Sequence, residues 1–367
     1  MPGTVHVIGA GLAGLSAAIR LTLAGRKVIV HEAAGQAGGR CRSYHDPALD
    51  MEIDNGNHLL LSANHAALDF LRIIGAADKL VGPPHADFPF VDLAGGARWT
   101  LRIGDGRIPW WIFDANRRVP GTTARDYLAL GRLLWPPRDA AIGELIACNG
   151  TLYDRLVGPL LLAALNTAPP EGSAALAGAV LRATVAAGGR ACRPLIARDG
   201  LGPTFIAPAL AWLASHGVTV GFGRRLRTLD IAGAKITALD FGDEKLALAA
   251  DDGVILAVPP VVATALLPGL DGPDEFRAIV NAHFRVVPPP GTPSIIGVVG
   301  GTVEWIFAFA DRLSVTISGA DRLVDTPRDA LAKTIWDEVA AVTRMDDAAT
   351  IEGAIRSGER AAALAAK

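Results

Sequence analysis

The chain has 367 residues, half of them hydrophobic and a fifth charged, with a formal net charge of -2. That length suggests about two domains with room for a sizeable core, and the near-neutral balance excludes the basic footprint of a nucleic-acid binder. Cys41, Cys148 and Cys192 form no CxxC pair, so neither a disulfide framework nor a zinc site is expected and no metal is assigned.

In chain order, residues 5–8 (VHVI) read as a short apolar strand. GAGLAG follows, then a helix with Leu12, Leu15, Ile19 and Leu23 near one face. Gly25 sits where a glycine ends a helix. Residues 28–32 (VIVHE) read as a second strand, so the chain opens on a βαβ unit with parallel strands. Gly9-Ala10-Gly11-Leu12-Ala13-Gly14 fits GxGxxG in that context, and Glu32 ends the second strand. Gly9 permits the tight turn, Gly11 lets backbone approach a pyrophosphate, and Gly14 lets helix and strand pack closely. The helix N-terminus offers free N–H groups and a positive dipole end. Glu32, followed by Ala33, can accept ribose hydroxyls.

Residues 62–200 carry helical patterns broken by Pro-Pro pairs. Residues 218–258 hold five short strand-like runs, which read as a β-meander. Residues 295–318 alternate again and suggest an antiparallel sheet, followed by a helix over 328–342. The N-terminus has no basic and apolar leader pattern, and no run of about 18 apolar residues appears. Neither a secretory signal nor a spanning helix is expected, which points to a cytoplasmic protein. The apolar stretch LVGPLLLAAL (156–165) is the expected place for peripheral membrane contact.

Gly38-Gly39-Arg40, in AAGQAGGRCRS, adds exposed backbone N–H groups and a cation suited to the same pyrophosphate. Here the chain resembles the FAD-dependent amine oxidase and phytoene desaturase superfamily. DNGNHLLL (54–61), PLLLAALNT (159–167), VILAVPP (254–260), AIVNAHFRV (278–286) and VEWIFAFADRLSVTIS (303–318) narrow the resemblance. It becomes one to the squalene-associated, desaturase-like hydroxysqualene dehydroxylases. ATIEGAIRSG (349–358) is similar to that family's C-terminal cofactor segment.

The resemblance implies an α/β fold. A Rossmann-like FAD-binding domain with parallel sheet and β-meander (1–61, 200–265, 343–367) joins an α+β substrate domain with an antiparallel sheet (62–199, 266–342). It implies FAD as cofactor, with Leu226 on the strand RRLRTL as an adenine contact and Thr350 and Ile351 at the flavin. It also implies reductive removal of the hydroxyl of hydroxysqualene, an apolar C30 isoprenoid, to give squalene for hopanoid biosynthesis. A carotenoid-type desaturase, an amine oxidase and a flavin-less binding module on the same fold remain the alternatives.

Asp54 and His58 are the candidate acids, placed close to the expected flavin contact. Asn55-Gly56 is also a favoured hairpin turn, which Asp54 could merely orient, and His58 could be a satisfied buried histidine. Asn57, Asn166, Trp305 and Phe307 are candidates for the substrate pocket. Asn166 could equally cap a helix before Pro169-Pro170. Trp305 and Phe307 share one strand face, where they serve a tunnel or the sheet core.

Upstream of ATIEGA the family pattern carries a strand and a Gly-Asp pair. Here Thr343-Arg344-Met345 leads straight into Asp346-Asp347, and neither feature is present. Asp347 could stand in for the acid, but nothing replaces the strand. If the chain is internally shortened there, flavin is held weakly. Flavin-to-protein ratio after purification measures this, and a stoichiometric complement refutes it.

Overall fold

The computed structural model describes residues 3–345, and its contacts divide the chain into two units. Asp347, Thr350 and Ile351 lie outside the described residues. The first unit takes residues up to 58, 64–81 and 197–276; the second takes 59–63, 82–196 and 277 onward. Residues 64–81, expected with the substrate domain, sort with the first unit. Phe70 of the helix His65–Ile73 stacks on Phe205, and Asp69 pairs with Arg20 and Arg72.

In the first unit, Val5–Ile8 lies between Val28–His31 and Gly253–Leu256, with Thr219–Gly221 beyond Val28–His31, all parallel. The first strand is buried along its length, as expected of a central parallel strand with both faces covered. The helix Leu12–Leu23 buries Leu15, Ala18 and Ile19, and Gly25 follows it at φ +73°. The expected five-strand meander shrinks to three strands, Thr228–Ala232, Lys235–Asp240 and Lys245–Ala247. The first and last of the five runs join the parallel sheet instead. Leu226 precedes the meander in irregular backbone, and its side chain is buried with Ile8, Leu239, Phe241 and Leu266.

The second unit is built on a six-stranded sheet. Its order is Val280–Phe284, Leu313–Ile317, Trp305–Ala308, Ile295–Val299, Ala86–Asp92, Arg98–Ile103. All neighbours are antiparallel except Ile295–Val299 with Ala86–Asp92. The last two strands fall where helices were expected. Pro89 hid the first of them, because proline within an apolar run argues against a strand. One sheet face buries Val91, Ile296, Val298, Ile306, Val315 and others against Ile335, Val339 and Val342 of the helix Arg328–Thr343. Glu338 of that helix accepts the N–H groups of Thr302 and Val303 at 2.9 and 2.7 Å. The stretch 156–165 is covered in part: Ala163 and Ala164 are exposed, and Pro159, Leu160, Leu162 and Leu165 are half-buried. Leu156, Val157 and Leu161 are buried, in a wide turn that runs into the helix Gly158–Leu165.

A histidine pair sits inside the first unit. His6 Nδ1 and His31 Nε2 are 3.1 Å apart, and the rings stack. His31 also packs on Phe241; the Arg224 guanidinium lies over that ring and pairs with Glu244. Burial lowers both imidazoles. His6 and Arg224 add to the effect at His31, which falls to about 4. Both rings are therefore neutral at pH 7.

An unfolded histidine takes a proton near pH 6.5, and the folded His31 does not until about pH 4. By linkage, the stability gained from keeping this ring neutral is full above pH 6.5 and is lost as pH falls towards 4, on the order of 3 kcal/mol in all. The stability difference between wild type and His31→Gln shrinks between pH 7 and pH 4.5 in urea titrations. A difference independent of pH overturns the assignment.

Candidate functional site

The glycine loop leaves the first strand and enters the helix Leu12–Leu23. Gly9 adopts φ +105°, donates its N–H to His31 O at 2.7 Å, and has no room for a Cβ beside the carbonyl of Ala257. A Cβ at Gly14 would overlap the Gly9 carbonyl oxygen, so helix and turn meet backbone on backbone. Gly11 differs from both. It has ordinary dihedrals, and a Cβ there would meet nothing within 4 Å, so its lack of a side chain leaves open space above the helix start. Gly11 provides no side-chain cap, so the first N–H groups of the helix, at Leu12, Ala13 and Gly14, point into that space.

The second glycine segment packs against the first. Gly38 N–H donates to Ala10 O at 2.8 Å, Gly38 bridges Gly11, and a Cβ at Gly39 would come within 3.4 Å of the Gly11 Cα. Gly38 and Gly39 sit at φ +112° and +53°, the left-handed region that glycine enters without strain. Arg40 is exposed, and among the described residues it pairs with no carboxylate. Glu32 Oε2 accepts Ala10 N–H at 2.7 Å and Oε1 accepts Ala34 N–H at 2.8 Å, which leaves other lone-pair positions for a ligand hydroxyl. Ala33 is exposed beside it. Uncapped N–H groups, a glycine-lined opening and an unpaired arginine fit a dinucleotide pyrophosphate.

Asp54 takes part in a helix-end contact. It is 3% exposed. Its Oδ1 accepts Ser43 Oγ–H at 2.5 Å and Leu201 N–H at 2.8 Å, while Ser43 Oγ accepts Gly202 N–H at 2.8 Å. Residues 201 and 202 open the helical run that continues to Ser215. Asp54 and Ser43 therefore cap a helix N-terminus, where a carboxylate is favoured. Asn55-Gly56 is a bend leading out of Met51–Asp54, not a hairpin turn; that hairpin reverses at 47–50.

His58 is exposed, and its imidazole lies below the ordinary range. Desolvation is the main cause, Asp54 opposes it, and Arg40 reinforces it. It is neutral at pH 7, which suits hydrogen bonding better than standing proton donation. Cys41 is a buried thiol pushed up to about 12 by burial and Asp54, and so is inert.

Of the substrate-pocket candidates, Asn57 is buried just past the bend. Asn166 is a helix-end connector. It ends the helix Gly158–Leu165 at φ 51°, accepts Gly319 N–H at 2.7 Å and donates to Arg277 O at 3.0 Å. Trp305 and Phe307 do share a face, the one opposite the helix Arg328–Thr343. Strand pairing puts Phe90, Trp99, Ser314 and Thr316 on it as well. Phe90 stacks on Trp99 and meets Trp305 edge-on. Two unexpected polar pairs interrupt this aromatic face, His283 Nδ1 with Ser314 Oγ and Thr316 Oγ1 with Asn281, each at 2.8 Å. The alternation in LSVTIS marks both hydroxyls as facing away from Leu313, Val315 and Ile317.

The glycines separate binding from folding. Gly11→Ala leaves the melting temperature of the flavin-free protein unchanged and raises the flavin dissociation constant on the order of tenfold. Gly14→Ala lowers that melting temperature itself. Calorimetry and flavin titration of the two variants distinguish them, and equal stability loss in both defeats the assignment.

The family described as flavin containing amine oxidoreductase matches residues 12–344. A hydroxysqualene dehydroxylase of Rhodopseudomonas palustris is 60% identical over 93% of this chain and 82% of its own length. The Sinorhizobium fredii protein of the same name is 56% identical over 92% and 81%. The solved cyclohexylamine oxidase from Brevibacterium oxydans shares the fold, with a TM-score of 0.62, 17% identity and coverage of 93% and 81%. The chain belongs to the flavin-containing amine oxidoreductases, as a flavoprotein oxidoreductase of their hydroxysqualene dehydroxylase branch.

Proposed function

We propose that the protein is an FAD-dependent enzyme that removes the hydroxyl of hydroxysqualene reductively and yields squalene. The observation that carries this is the 60% identity with a hydroxysqualene dehydroxylase across 93% of the chain. The site supports FAD as the form of flavin. A GxGxxG loop with Glu32 held beside it suits the pyrophosphate and ribose of a dinucleotide, which a mononucleotide lacks.

The chemistry a bound reduced flavin would supply is hydride donation. The rest falls to the chain. Gly11, Gly38, Gly39 and Arg40 would hold the pyrophosphate. The sheet face with Phe90, Trp99, Trp305 and Phe307 offers an apolar wall for a C30 isoprenoid. Protonation of the allylic hydroxyl releases water and leaves an allylic cation, which one hydride converts to the hydrocarbon. Aromatic faces stabilise such a cation, and they exclude water that would return the alcohol. His283 with Ser314, and Asn281 with Thr316, set hydrogen-bonding groups on that same face, where a hydroxyl can be oriented.

No helix among the described residues is long and apolar enough to cross a membrane. The substrate is membrane-resident, so we place the enzyme in the cytoplasm, working at the bilayer surface.

Purified protein with FAD, a reductant and hydroxysqualene, kept anaerobic, yields squalene by mass spectrometry. Conversion of phytoene or an amine without squalene overturns this reading. Trp305→Ala reduces turnover while flavin affinity stays the same.

A further inference from the structure

Residues 104–138 of the second unit expose more large aromatic side chains than any other stretch of similar length among the described residues. Trp135 is 79% exposed, Trp110 70% and Phe113 61%, with Ile108 at 62% and Leu128 at 61% among them. Trp110 and Phe113 lie together, 6.1 Å between ring centroids. Their neighbours are buried. Trp111 meets Tyr127 edge-on at 5.3 Å, Ile112 is core, and Tyr127 Oη accepts the Val119 N–H at 2.9 Å. Trp110 and Phe113 thus stand on a packed platform rather than a loose loop. Burying Trp111 and Ile112 forces Trp110 and Phe113 out, and folding alone does not explain why they are aromatic.

The same segment carries six arginines against three aspartates, in a chain whose net charge is -2. Among the described residues, Arg107, Arg125, Arg132 and Arg138 are exposed and form no ion pair. Asp114 accepts Asn116 N–H, and Asp126 closes a capping box with Thr123, so two of the three acids are already engaged. Exposed Trp and Phe among unpaired arginines match a membrane interface. The rings enter the headgroup boundary, and the guanidinium groups meet lipid phosphates.

We propose that the segment 104–138 docks the protein onto an anionic phospholipid bilayer through the Trp110–Phe113 pair, with the segment's exposed arginines, Arg107 and Arg125 among them, meeting the headgroups. The purpose rests on the reading of a membrane-resident substrate; the surface itself does not. It is a different surface from the stretch 156–165, of which Leu156, Val157 and Leu161 are buried.

Flotation of the full chain with vesicles tests it. The protein floats with vesicles of phosphatidylcholine and phosphatidylglycerol, less with phosphatidylcholine alone, and tryptophan emission shifts to the blue. The double substitution Trp110→Ser/Phe113→Ser weakens binding about tenfold or more, and Arg107→Ser/Arg125→Ser removes the preference for phosphatidylglycerol, both with unchanged melting. Absence of flotation overturns the proposal, as does undiminished flotation of the Trp110→Ser/Phe113→Ser variant. A wild-type dimer that this variant dissociates, without vesicle binding, overturns it too, since a second copy would then cover the face. Detergent-dispersed hydroxysqualene separates the two readings. Failure to form squalene there counts against the substrate, and the surface stands or falls on flotation alone.

Discussion

The contact between two glycine segments governs the nucleotide end of this protein. Gly38 donates to Ala10 O, and no side chain intervenes between residues 38–39 and Gly11. Glu32 closes the arrangement by accepting N–H groups from residues 10 and 34. A carboxylate with two backbone donors is a strong, directional anchor. It holds the loop open at the helix start, where uncapped N–H groups can meet phosphate. Arg40 then comes directly after the second segment.

The second unit solves a different problem. Its sheet packs differently on its two faces. The helix Arg328–Thr343 seals the aliphatic face with Ile335, Val339 and Val342. The other face is aromatic and carries paired hydroxyl, amide and imidazole groups. Gly297 shows how tightly this face is set, because a Cβ there would overlap the Phe90 ring. An aromatic face of this kind is rigid at low entropic cost, which suits a substrate with little polarity of its own.

The nucleotide loop was legible in the sequence because each of its constraints is local. The turn, the close packing and the helix start all fall within Gly9–Gly14, and Glu32 lies one helix away. The helix-end contact of Asp54 left no signal in the sequence, because its backbone donor Leu201 is 147 residues distant and no spacing rule reaches that far. The hairpin 86–103 was obscured by Pro89, whose ring fits the strand although its missing N–H argues against one. Asn166 and the Trp305–Phe307 face were open between two uses. Geometry made the first a helix end and placed the second opposite the sealing helix. The His6–His31 pair left no signal at all, since a histidine in VHVI looks like any polar interruption of a strand.

The acids near the anion site raise a last electrostatic question. Glu32 and Asp54 bring two negative charges into a region that must accept a pyrophosphate, and unscreened like charges at close range would oppose it. Each carboxylate is instead spent on backbone donors, residues 10 and 34 for Glu32 and residue 201 with the Ser43 hydroxyl for Asp54. Asp54 also offsets the positive end of a different helix. Arg40 keeps no such partner among the described residues, and His58 stays neutral. The cation and the helix start at Gly11 thus offer the positive end of this region to an anion, while both carboxylates also hold backbone in place.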